Sequence, residues 1–334
     1  MTRTWLIFTV CGVLVGCQPT EQQQGGGAAL ADKPHLPAAS RQTAPASDES
    51  RLATDKTPAV ADKPAADDKP ALPKPPAGKV SPYVIHMPGV SGTSIVDYTL
   101  RDGMKAAGFD GPFEIFDWTC GDPGIPALRN RKRNDEQAKR IAEQITRQFR
   151  AHPEQPIYVT CHSGGVGPAV WALEKLPADV KVHSFVMLGP AISPTYDLSK
   201  ALSHVTDKAY CYWSPADDFV LGTGTKLFGT IDGHHVESAG KVAFTKPAGA
   251  DDKQYAKLVS REYESGWSKL GNVGGHIGWM AEGFVRIVVA PALTGRAPTE
   301  KEVEEAAKAV RPMMDVQWPK FDFGTGPKKP EGGK

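Results

Sequence analysis

From residue 80 onward, short apolar runs alternate with amphipathic stretches of helical spacing, and this alternation constrains the fold most. The runs Tyr83–Met87, Phe113–Trp118, Ile157–Cys161, His183–Leu188 and Ala209–Trp213 read as strands. Asn134, followed by Asp135 and Glu136, reads as a helix start. Along that helix Ala138, Ile141, Ile145 and Phe149 recur on one face, and Pro153 lies beyond its end. Further helices are predicted over about 164–175, over about 277–289, and from Thr299, where Thr299-Glu300-Lys301-Glu302 has the capping-box pattern. Strands separated by helices pair in parallel, and the crossovers cover the sheet. The predicted class is α/β, a mainly parallel central sheet with helices on both faces.

The segment before residue 80 has a different composition. Met1 to Gly16 has the form of an export signal, with Arg3 ahead of an apolar run from Trp5 to Val15. Residues 18–79 are rich in Ala, Pro, Lys, Asp and Gln and hold no aromatic side chain. Ala31-Asp32-Lys33-Pro34 recurs as Ala61-Asp62-Lys63-Pro64. Such a composition cannot bury enough apolar surface to offset chain entropy, so the segment is expected to be a tether. As a coil its root-mean-square reach is roughly 45 Å. The expected organisation is a signal over 1–16, Cys17 and a disordered tether over 17–79, a folded domain over 80–310 and an irregular tail over 311–334.

Charge excludes one broad class. Lys plus Arg number 39 and Asp plus Glu 38, a formal charge of +1, which argues against a general nucleic-acid binder. No internal apolar run approaches the ~20 residues of a membrane span.

The chemistry concentrates in Ile157-Tyr158-Val159-Thr160-Cys161-His162-Ser163-Gly164-Gly165, an apolar strand that runs into a serine and then into small residues opening a helix. After the strand Ala209–Trp213 comes Ser214-Pro215-Ala216-Asp217-Asp218-Phe219-Val220, and before the late helix comes Gly274-Gly275-His276-Ile277-Gly278. The strand Tyr83–Met87 is followed by Pro88-Gly89-Val90-Ser91-Gly92. In this order the four segments resemble the α/β-hydrolase family of serine hydrolases, lipases and esterases, over about residues 80–295. The first segment resembles its nucleophile elbow, Gly-x-Ser-x-Gly. Gly165 matches the last position, and Cys161 stands where glycine is usual. With no strand read before Tyr83, the sheet is expected to resemble those of the smaller lipases and cutinases.

The resemblance implies a membrane-tethered esterase working through an acyl-enzyme, with Ser163 as nucleophile, His276 as base and Asp217 as acid, Asp218 being the alternative acid. Serine is a poor nucleophile until an imidazole accepts its proton, and a carboxylate holds that imidazole in the right tautomer. Gly164 would give one oxyanion N–H. Val90 would give the second, with Gly89 as second choice, because aligning His86 instead puts Pro88, which lacks an N–H, at the donor position. His162 is expected to point away from the nucleophile. No cofactor and no metal are implied, and the expected substrate is a small ester or lipid. The alternative, motivated by Cys161, is a non-catalytic envelope binding lipoprotein on the same fold.

The leader, ending in Leu14-Val15-Gly16-Cys17, resembles the lipobox of bacterial lipoproteins. That resemblance implies lipidation of Cys17, attachment to a membrane through it and, with Gln18 following, placement in the outer membrane facing the periplasm.

Three further features have weaker readings. Arg129, Arg131, Lys132 and Arg133 could meet an acidic substrate or headgroup but fit a solvated surface. Gly222-Thr223-Gly224-Thr225-Lys226 lacks P-loop spacing and reads as a loop. The stretch from about 221 to 275 is long enough for part of a lid, with Tyr263 and Trp267 as candidate lining residues.

Overall fold

The computed structural model describes residues 81–310, apart from 219–221 and 223. The export signal, Cys17, the tether and the tail from residue 311 therefore lie outside the described residues.

One sheet contains strands β1 (Tyr83–Met87), β2 (Phe113–Ile115), β3 (Ile157–His162), β4 (Ser184–Leu188), β5 (Ala209–Trp213) and β6 (Leu258–Glu262). They lie in the order β2-β1-β3-β4-β5-β6, and every neighbouring pair is parallel. Successive side chains of each strand point to opposite faces. Ile85, Val159, Met187 and Cys211 enter one core, where they meet Ile141, Ile145 and Val170. Val84, Tyr158, Val186 and Tyr210 enter the other, with Leu100, Met104 and Phe284. Burial on both faces explains why these strands read as continuous apolar runs rather than alternating ones. The architecture is α/β, a parallel sheet with helices on both faces.

The helices that position the site are α1 (Ile95–Ala106), α2 (Ile125–Arg129), α3 (Arg131–Ala151) and α4 (Val166–Leu173). From β1 the chain moves outward to β2 and then crosses back to β3 on the other side of β1. This reversal is a topological switch point, where open α/β sheets place ligand sites at the carboxyl ends of the flanking strands. Both the loop after β1 and the turn after β3 emerge there.

Several elements differ from the sequence expectation. β2 stops at Ile115, and Trp118 instead buries its ring and donates from Nε1 to the Pro88 carbonyl at 2.7 Å. Helix α3 begins at Arg131, because Asn130 caps it by accepting from the Arg133 N–H. Asn134 lies inside the first turns, fully buried, and donates from Nδ2 to the Ala127 carbonyl at 2.7 Å. The late helix begins after a 3₁₀ turn at Gly278–Met280 and runs through 282–294 with a π-helical stretch at Val285–Val289. Thr299 and Glu302 form the expected reciprocal cap.

The stretch read as part of a lid contains β6 on the sheet edge. Trp267 is buried against Tyr212, Trp279 and Phe284, with ring centroids 6.2, 6.3 and 5.0 Å away, and Tyr263 packs on its edge at 6.0 Å. These aromatics belong to the core.

Candidate active site

Strand β3 ends in a sharp turn at Ser163, whose φ is +54°. This left-handed conformation is unfavourable for a residue with a Cβ and is tolerated only where the surroundings impose it. The surroundings here are tight. A Cβ on Gly165 would fall 2.3 Å from the Pro88 carbonyl oxygen and 2.5 Å from that of Met87, so α4 can leave β3 at this angle only because residue 165 is glycine. The Ser163 carbonyl accepts from the Ala191 N–H at 3.1 Å, which fixes the turn to the chain leaving β4.

Ser163 Oγ lies 2.8 Å from His276 Nε2, across a sequence separation of 113 residues. His276 Nδ1 lies 2.7 Å from Asp217 Oδ2. A carboxylate can only accept, so the imidazole proton is on Nδ1, and Nε2 is left to accept from the serine hydroxyl. All three side chains are largely shielded from water, Asp217 almost completely. Asp218, the alternative acid, is 74% exposed and pairs with Lys241. Val220 of the acid turn lies outside the described residues.

Asp217 is set by a tight turn in which its N–H donates to the Ser214 carbonyl at 3.1 Å. The His276 loop is shaped by Asn272, which is fully buried and accepts from the Gly274 N–H at 2.9 Å. Gly278 must be small, since a Cβ there would fall 2.4 Å from Asn272 Oδ1. Neither Asn272 nor its part in the loop was apparent from the sequence; the cluster of glycines around His276 was the only signal.

The loop after β1 approaches the serine closely. A Cβ on Gly164 would fall 2.4 Å from Val90 Cγ1 and 3.7 Å from the Val90 nitrogen, and one on Gly89 would fall 3.8 Å from Ser163 Oγ. Three successive carbonyls of this loop have donors. Trp118 Nε1 serves Pro88 at 2.7 Å, the Gly92 N–H serves Gly89 at 3.0 Å, and the Gly124 N–H serves Val90 at 2.7 Å. Asp117 completes the support by accepting from the Thr93 N–H at 2.9 Å.

His86 lies at the base of this loop, fully buried in a local network. Its Nε2 donates to Asp97 Oδ1 at 3.0 Å, and its Nδ1 meets Thr160 Oγ1 at 2.9 Å. Burial works to raise the Asp97 carboxyl, but His86 and Ser94 together outweigh it and hold the group below its ordinary value. His162 does not simply point away from the site. Its ring lies 4.7 Å from that of His276, and its Nε2–H donates to the His276 carbonyl at 3.0 Å.

Cys161 is fully buried, and its thiol donates to the Val186 carbonyl at 3.5 Å. Burial pushes this thiol well up, so it stays protonated, and neither Cys161 nor Cys211 is bridged. Among the basic residues, Arg133 pairs with Asp122 at 3.0 Å and Arg131 lies 3.5 Å over the Trp171 ring. His235 Nδ1 lies 3.1 Å from the Lys226 carbonyl. Among the described residues no group of three or more His, Cys, Asp or Glu could hold a metal ion. Thr223 of the glycine-rich stretch lies outside the described residues, and Thr225–Phe228 form a short helix.

No family model matches the chain. No curated protein matches it either. Among solved structures, it is similar to lipase B of Aspergillus fumigatus, at 14% identity and a TM-score of 0.42, over 70% of this chain and 57% of that one. It is also similar to a cutinase-like protein from Cryptococcus sp., at 14% identity and a TM-score of 0.38, over 65% of this chain and 97% of that one. A predicted CIB-like hydrolase from Thermoplasma acidophilum is similar at 17% identity and a TM-score of 0.35, over 65% of this chain and 89% of that one. The chain thus spans little more than half the length of the lipase.

Proposed function

We propose that this chain is a serine hydrolase of esterase type, in which Ser163, His276 and Asp217 act as one relay. The observation that carries this reading is the pair of contacts at His276, 2.8 Å to Ser163 Oγ and 2.7 Å to Asp217, at a serine held with φ +54°.

In the proposed reaction His276 Nε2 takes the hydroxyl proton as Ser163 Oγ attacks an ester carbonyl. Asp217 keeps the imidazole in the required tautomer and stabilises the imidazolium that forms. The Gly164 and Val90 N–H groups receive the oxyanion, an arrangement worth ~3–4 kcal/mol per donor in such sites. His276 returns the proton to the leaving alcohol. Water, activated by the same imidazole, then cleaves the acyl-serine. Cys161 at the elbow is compatible with this chemistry, because its thiol lies in the core and carries no charge. The leader further supports placing the enzyme on a membrane through lipidated Cys17, with a small ester or lipid as substrate.

The test is fluorophosphonate labelling of the full chain in detergent. Stoichiometric labelling that disappears in Ser163→Ala supports the reading. A folded wild-type chain that stays unlabelled overturns it and favours the binding-lipoprotein alternative.

A further inference from the structure

The His162 ring lies between the two loops that would carry the chemistry. On one side its Nε2–H donates to the His276 backbone carbonyl at 3.0 Å, with the two rings 4.7 Å apart and inclined at 40°. On the other side it faces the loop after β1. A Cβ built on Gly89 would meet His162 Nδ1 and Ser163 Cβ at the same distance, 3.4 Å. His162 is itself held firmly, since it is the last residue of β3 and is in register with Leu188 of β4.

His276 has no such strand beneath it. It belongs to a loop of irregular backbone between Asn272 and the 3₁₀ turn at Gly278–Met280. Contacts through its side chain alone would let the ring move with that loop. A hydrogen bond to its main-chain carbonyl ties the base to the strand that ends at the serine.

Resting on the hydrolase reading above, we propose that His162 is a positioning residue for the base: its Nε2–H fixes the His276 backbone so that the His276 ring stays within reach of both Ser163 and Asp217.

The electrostatics suit that task. Burial, and next the neighbouring His276 ring, push His162 down to about 3, while the bond to the His276 carbonyl and then Asp97 raise it by smaller amounts and His86 lowers it slightly. The ring therefore stays neutral where His276 would work. A neutral donor holds the carbonyl without repelling the imidazolium that forms on His276.

The experiment uses the full chain in detergent and a p-nitrophenyl ester, with His162→Phe and His162→Gln. Phenylalanine keeps the ring and removes the donor. Glutamine places an amide N–H near the Nε2 position. His162→Phe should lower kcat and the fluorophosphonate labelling rate together by about 10–100-fold, as small displacements of reacting groups do. KM should stay within about twofold, and His162→Gln should recover most of the loss. A merely structural role would not give the glutamine rescue.

If His162→Phe does not fold, ring-nitrogen spectra decide. Assigned by the signal lost in His162→Gln, they should show His162 neutral with its proton on Nε2 at about pH 5, where an ordinary histidine is charged. A charged ring, or a proton on Nδ1, overturns the proposal. So does a labelled wild type whose His162→Phe variant labels at the same rate, and that result leaves the hydrolase reading standing. A wild type that is not labelled overturns both.

Discussion

Asp217 and Asp218 are adjacent in sequence and turn to different partners, Asp217 to His276 Nδ1 at 2.7 Å and Asp218 to Lys241 at the surface. The two carboxylates therefore make opposite predictions. Asp217→Asn presents an amide that can donate to Nδ1 and select the wrong tautomer, so kcat should fall roughly 10³–10⁴-fold. Asp218→Asn loses an ion pair whose carboxylate is exposed, leaves Lys241 beside Glu237, and should stay within about twofold of wild type. Steady-state ester hydrolysis by the two variants checks this, and comparable losses would refute the assignment of Asp217.

Gly164 and Val90 should be coupled. An alanine at 164 puts its Cβ against Val90 Cγ1 and not against backbone. Gly164→Ala should lower kcat roughly 10²–10³-fold by displacing the donor loop, at a cost of the order of a lost oxyanion contact. Val90→Ala removes the obstructing methyl and should restore most of the activity in the double variant, a coupling that a double-mutant cycle measures. Additive losses would argue against Val90 as the neighbour that matters.

Asp97 should contribute a pH-dependent share of stability. Despite burial, its folded pKa is held below the ordinary 3.8 by His86 and Ser94. A depressed carboxyl stabilises the fold above its unfolded pKa, and that contribution is lost as pH falls through the folded value. Asp97→Asn should therefore cost about 1.5–3 kcal/mol near neutral pH, as losing hydrogen bonds to a buried charged group does. The difference from wild type should shrink below about pH 4. Urea unfolding at several pH values reads this directly, and a difference that widened in acid would contradict it.

Cys17→Ser removes the residue to which lipid would be attached. Protein that fractionates with membranes should appear in the soluble fraction, since several acyl chains at ~0.8 kcal/mol per methylene account for stable anchoring. Ester hydrolysis per molecule should be unchanged. Continued membrane association of the variant would count against the lipoprotein reading.

The sequence made the centre of the sheet legible and its periphery less so. β1, β3 and β5 are buried on both faces, so their apolar runs are continuous and their limits fall within a residue of expectation. β6 was missed because Leu258-Val259-Ser260-Arg261-Glu262 is an edge strand of mixed burial without such a run. The start of α3 was misplaced by four residues. Asn134 has the composition of a cap, but Asn130 performs that role, and local sequence does not distinguish a polar side chain that caps from one that bonds a carbonyl seven residues back. Ser163, Asp217 and His276 could be found by their order along the chain, and the structure brings those three side chains together. The bond from His162 to a main-chain oxygen leaves no pattern in the sequence, because an acceptor carbonyl exists at every position.

The 113 residues separating Ser163 from His276 also set a timetable. Contacts of such long range form late, after the loop-closure entropy between them has been overcome. A chain emerging during synthesis would complete the elbow, α4 and β4 well before the base arrives, with an unassisted serine at the end of β3. Catalytic competence would then be acquired in a single step near the close of folding. Molecules that end before His276 would be silent, and hydrolysis would report chains extended beyond the base.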